Sequence, residues 1–110
     1  MRIFIGEADR CREGAHAGAP LHEALLTLLR ERGFAGATVL RGIAGFGASA
    51  TVHTTKILRL SLDLPIVLEV VETEERIREI LPDLDRMIGG GLITLERADV
   101  ILYRPAQGSD

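Results

Sequence analysis

Leu21, Ala24, Leu25, Leu28 and Leu29 recur at i, i+3, i+4, i+7 and i+8, and a second set, Ile77, Ile80, Leu81, Leu84 and Ile88, follows a similar spacing later in the chain. That periodicity gathers the apolar side chains of each segment on one face of a helix. Each stripe has to be buried against something, and runs of β-formers flank both. Arg2-Ile3-Phe4-Ile5-Gly6 precedes the first stripe and residues 37–41 follow it. Residues 64–71 precede the second; Leu92-Ile93-Thr94, a short strand or strand-like return, and then residues 98–103, read as a last strand, follow it. The order β-α-β, repeated once, predicts an α+β fold: a ferredoxin-like βαββαβ sandwich with both helices on one face and right-handed crossovers.

Local signals set the ends of the elements. Pro20 stands at the first turn of the first helix, and Gly33 offers a left-handed stop. Thr73 can cap the second helix, with Glu74 and Glu75 complementing its dipole. Pro82 is predicted to kink or restart that helix, and Gly89, Gly90 and Gly91 end it. Residues 8–19 read as a loop and residues 48–61 as a polar excursion. The expected organisation is one domain over 1–104 with a flexible tail over 105–110.

One pattern does not suit a lone protomer. With both helices on one side, the other sheet face meets water, and its strands should alternate apolar and polar residues. Ile66-Val67-Leu68 and Val100-Ile101-Leu102 do not alternate. Such an aliphatic surface needs a cover, and no remaining segment is apolar enough to supply it. The expectation is a homo-oligomer that packs sheet face to sheet face.

Composition narrows the function. At 110 residues the chain makes one domain that buries about two thirds of its unfolded surface. Its 46% hydrophobic and 26% charged residues are those of a globular protein. No apolar run approaches the ~20 residues of a bilayer span, and the opening MRIFIGEAD is too short and too acidic for a secretory signal. No direct membrane insertion is expected. A net charge of −3 and a pI near 5.6 give no electrostatic drive toward nucleic acid. The lone Cys11 excludes an internal disulfide and suits a cytoplasmic location. His16, His22 and His53 are scattered over a loop, a helix start and the polar excursion, so no metal site is expected from them. Glu7 and Asp9 lack a partner base or nucleophile, and no Ser-His-Asp, Cys-His or paired-carboxylate pattern occurs, so the chain reads as a non-enzyme with no catalytic residues.

The glycines are the other candidates. Gly42-Ile43-Ala44-Gly45-Phe46-Gly47 spaces them G-x-x-G-x-G, the reverse of the dinucleotide fingerprint, and leads into a polar loop instead of a helix. Two readings stay open: a bend or bulge at a strand end, or a nest of main-chain N–H groups for an anion. Gly89, Gly90 and Gly91 pose the same choice, because a helix stop needs only one glycine. Two such turns beside one cleft favour a phosphate-sized pocket more than either would alone. His53-Thr54-Thr55-Lys56 puts hydroxyls, a titratable ring and a cation at the tip of the excursion, which suits either partner docking or plain solvation.

Gly36-Ala37-Thr38-Val39, Gly45-Phe46-Gly47, the long polar loop and a strand ending in Glu69-Val70-Val71 resemble the PII signal-transduction proteins. The runs IGEADR, GATVLRGIAGFGAS, HTTK and LRLSLDLP resemble still more closely the PII-like family called domain of unknown function 190, over residues 2–104. The resemblance implies a homotrimer with its sheets facing inward and three clefts between subunits that take an adenine nucleotide. By the same matching, Thr38 would touch the adenine side, and Gly45, Phe46, Gly47 and Ala48 would form the base of the T-loop. Glu69 and Val71 would lie on the adjacent strand, Gly89, Gly90 and Gly91 would face phosphate, and Arg104 would come from the neighbouring subunit.

Departures from PII refine the expected ligand. Ala48 and Ser49 stand where PII proteins have a basic residue and a glutamine, Leu92 where they have a lysine, and Leu102 where they have a second arginine. A hydrogen bond to a charged group contributes about 1.5–3 kcal/mol, so loss of any two of these cations weakens triphosphate binding by about two to four powers of ten. The expectation is a cytoplasmic regulator that prefers AMP to ATP and docks its 48–61 loop on a target protein, a membrane transporter or metabolic enzyme. The alternative is a CutA-like structural or metal-responsive trimer without nucleotide.

Overall fold

The first apolar run forms β1 (Arg2–Gly6), and the first stripe forms helix α1 (Leu21–Glu31). β2 (Thr38–Arg41), β3 (Pro65–Glu69), helix α2 (Glu74–Met87) and β4 (Leu92–Thr94) follow. The computed structural model describes residues 1–47 and 63–106. Ala48 and the tip residues His53, Thr54, Thr55 and Lys56 therefore lie outside the described residues, as does the tail beyond residue 106. The four strands make one antiparallel sheet in the order β2-β3-β1-β4, which is compatible with a ferredoxin-like sandwich.

The helices form because their stripes are buried. Leu21, Ala24, Leu25 and Leu29 of α1 and Ile77, Ile80, Leu84 and Met87 of α2 share one core with Ile3, Ile5, Ile66, Leu68 and Val70 of the sheet. These strand residues all point to the same side of the pleat, so both helices cover one face. Full burial of each such aliphatic side chain contributes about 1.5–3 kcal/mol. Thr73 caps α2 by accepting from the Arg76 N–H at 3.4 Å. Arg12 closes the other end: its N–H donates to the Met87 carbonyl, and its guanidinium donates to the carbonyls of Asp85 and Arg86. A cation at a helix C-terminus also complements the dipole. Gly33, at φ +76°, ends α1 in the left-handed conformation that only glycine adopts freely.

Two expectations change. α2 does not restart at Pro82 but continues through it as one helix, because Ile77, Ile80, Leu84 and Met87 anchor the stripe on both sides of the lost N–H; Ile88 already belongs to the extended cap. The last strand is Leu92–Thr94, and residues 98–103 are not a strand. A β-former sequence becomes a strand only where an edge is there to pair with, and the chain leaves the sheet after Thr94.

Candidate functional site

The sheet face away from the helices is open, and the register orders its side chains in rows. Leu40, Val67, Phe4 and Leu92 stand opposite one another across all four strands, an apolar row with Leu40 and Leu92 47% and 57% exposed. Beside it runs a polar row, Thr38, Glu69, Arg2 and Thr94. Arg2 donates to Glu69 Oε2 at 3.0 Å and also pairs with Glu96. The hydrogen bond to Glu69, then the charge of Glu96, raises the Arg2 pKa, so this residue stays cationic at every working pH. Val71 extends the same face past Glu69 and is exposed.

The glycine turn after β2 wraps around Pro65. The Gly42 N–H donates to the Pro65 carbonyl at 2.7 Å, and a Cβ on Gly45, at φ +152°, would sit 2.9 Å from the proline ring. Gly45 is thus required by a close approach. A Cβ on Gly47 would meet nothing within 4 Å among the described residues. Ile43 and Phe46, between these glycines, are 95% and 92% exposed.

The second turn divides in the same way. A Cβ on Gly91 would lie 2.7 Å from the Phe4 carbonyl oxygen, so packing against β1 demands glycine there. Among the described residues a Cβ on Gly90 would meet nothing within 4 Å, and one on Gly89 only the Arg12 side chain at 3.8 Å. With Leu84, Asp85, Ile88 and Ile93, the three glycines line a cleft of about 300 Å³.

Both glycine turns lie at the end of the sheet where β1 finishes and β3 begins, since Gly6 stands opposite Pro65. They occupy opposite edges there, because β3 and β1 separate β2 from β4; three strand spacings put about 14 Å between them. Thr38, Glu69 and Val71 lie toward the other end of the sheet, and Arg104 lies on the segment that leaves β4 from that end. One protomer therefore holds the expected ligand residues as separate groups. Arg41 ends β2 beside the first glycine turn and pairs with Glu7 at 2.5 Å. The other acids at this end are engaged by main chain: Asp9 accepts from the Gly6 N–H and Asp63 from the Ala8 N–H.

A smaller cleft of about 150 Å³, lined by Glu13, His16, Glu31, Asp83 and Arg86 among others, sits beside both helices. Asp83 is held there by Arg32 and Arg86. Among the described residues no group of His, Cys, Asp and Glu is arranged to hold a metal ion, and no helix is long and apolar enough to cross a membrane.

The strand order, the one-sided helices and the glycine turn leaving β2 put the molecule in the class of small PII-like α+β domains. Residues 1–100 match the model of the family described as uncharacterized ACR, domain of unknown function 190, and the chain belongs to that family. A UPF0166 protein of Aquifex aeolicus is 38% identical over 101 residues, covering 92% of this chain and 90% of its own length. A UPF0166 protein of Methanocaldococcus jannaschii is 34% identical over 96 residues, covering 86% and 83%. A further Aquifex aeolicus UPF0166 protein is 41% identical over 78 residues, covering 71% and 81%.

Proposed function

We propose that the protein is a PII-like regulator: a homotrimer that binds a small anionic effector, an adenine nucleotide such as AMP, in clefts between subunits and regulates a partner protein through residues 48–61. The observation that carries this reading is the apolar row Leu40, Val67, Phe4 and Leu92 on the uncovered sheet face. Its burial between protomers brings the edges of neighbouring sheets together, so a β2 edge of one subunit can adjoin a β4 edge of the next. Each cleft then draws on glycine turns from two chains, which resolves their separation within one. Gly47 and Gly90 support it further: no described neighbour crowds either, leaving their main chain open to a ligand. Arg41, and Arg104 from a neighbour, supply cations at such a cleft. The ligand changes the regulator by stabilising one state of the 48–61 loop through differential contacts. Target proteins of the transporter or metabolic-enzyme kind fit a loop that docks, and a cytoplasmic location suits the lone thiol.

A thermal-shift screen followed by calorimetry tests the reading. AMP should raise the melting temperature, and Arg104→Ala and Gly90→Val should each abolish the rise. Tight ATP binding with no response to AMP contradicts the nucleotide preference. Stabilisation by copper or zinc alone overturns nucleotide binding in favour of a CutA-like role.

A further inference from the structure

The two arginines of the sheet are held in different ways. Arg2 is fixed between two carboxylates, those of Glu69 and Glu96. Arg41 ends the edge strand β2 with its side chain 62% exposed, and among the described residues it pairs with Glu7 alone, through one contact from Nη2 to Oε2 at 2.5 Å. The next residue, Gly42, opens the first glycine turn. The cation that adjoins this turn is therefore already engaged, by a carboxylate of its own chain.

Glu7 is the fixed member of the pair. Its N–H donates to the Leu64 carbonyl at 2.8 Å, and the Ala8 N–H donates to Asp63 Oδ1 at 3.0 Å, which ties the turn after β1 to the chain entering β3. Asp9 closes that turn: its N–H donates to the Gly6 carbonyl and its carboxylate accepts from the Gly6 N–H. Its carbonyl accepts from the Leu21 N–H that starts α1. The Glu7 carboxylate, 24% exposed, thus stands on a frame of main-chain bonds, whereas Arg41 projects on a flexible stem from a strand bonded on one side only. Arg41 is the member that can change partner.

An exposed ion pair contributes little in water, because both ions are well hydrated and two long side chains lose freedom in holding it. A phosphate monoester brings about −1.5 to −2 charges at pH 7 and three acceptor oxygens, which a planar guanidinium grips at two points. We infer that Glu7 is an internal competitor for the effector: its carboxylate holds Arg41 in the free protomer, and a phosphate at the first glycine turn takes Arg41 from it. This rests on the anionic effector proposed above and supplies its selection step. A monocarboxylate has no advantage over Glu7 and is refused; a phosphate has more charge and more acceptors and is admitted.

Calorimetry with AMP and with inorganic phosphate, on the full chain at low ionic strength, tests it through a double-mutant cycle. Arg41→Gln should weaken AMP by about tenfold or more. Glu7→Gln should do the reverse and tighten AMP by about two- to fivefold, the strength of the exposed pair it removes. Combined with Arg41→Gln, the same Glu7→Gln change should alter the Kd by less than about twofold, since the competition needs both groups. A merely structural pair would not give a variant that binds better than the natural chain, and thermal unfolding without ligand checks that each variant folds. AMP binding that Glu7→Gln leaves unchanged or weakens, or that Arg41→Gln does not affect, overturns the competition and leaves the nucleotide reading standing. A chain that binds neither AMP nor phosphate, with or without the substitutions, overturns both.

Discussion

The two faces of the sheet are built from nearly the same kinds of residue and meet opposite fates. On one, Ile3, Ile5, Ile66 and Leu68 are at most 5% exposed beneath two helices. On the other, Phe4, Val67, Leu40 and Leu92 form an equally apolar row with neither helix of their own protomer over it. The polar row beside it shows that the chain can place Thr, Glu and Arg on that face. On the proposed reading the apolar row is a property of the assembly, since residue choice on a strand reports what finally covers it.

That contrast can be broken by mutation. Leu68→Ala, on the covered face and fully buried, should cost about 3 kcal/mol in denaturant unfolding of the protomer, from lost transfer energy plus a cavity. Val67→Asp, its neighbour on the open face, should leave protomer folding within about 0.5 kcal/mol. It should weaken self-association by about 2 kcal/mol per contact, about thirtyfold, read by sedimentation. Equal loss of folding stability from both substitutions would mean that the faces do not differ as described.

Smaller effects sharpen the scale. Thr73→Ala, which removes a cap on α2 far from the open face, should cost about 0.5–1 kcal/mol by thermal unfolding and nothing in association. Arg78→Ala breaks the exposed i,i+4 pair with Glu74. It should cost about 0.3 kcal/mol at low ionic strength, with the difference vanishing in high salt.

The elements that were legible in the sequence are those whose signal is local and periodic. Both helical stripes, the Gly33 stop and the Thr73 cap could be read because each depends on residues a few positions apart. The end of the sheet was legible only in part: Leu92–Thr94, expected as a short strand or strand-like return, is β4, whereas residues 98–103, expected as the last strand, are not a strand. Residues 98–103 have the stronger β-propensity, yet Leu92–Thr94 pairs with β1, because Gly91 lets the main chain pass close to the Phe4 carbonyl before it. Such an approach leaves no trace in propensity. The site divides similarly. The glycine clusters stand out in composition, but their steric roles at Gly45 and Gly91, and their freedom at Gly47 and Gly90, depend on Pro65 and Phe4, which other strands bring up. The 14 Å or so between the turns follows from strand order, a long-range fact. Arg41 carries no local signal of a site, because its place at the end of an edge strand, beside a glycine turn, emerges only from that order.

The central claim is that the bare apolar face is closed by further copies of the chain. Sedimentation equilibrium of the full chain over a wide concentration range measures this directly. The account predicts a species of three times the 11.9 kDa protomer mass that dissociates on Val67→Asp. A mass of one protomer at every concentration, with Phe4 and Leu92 left in water, would contradict it.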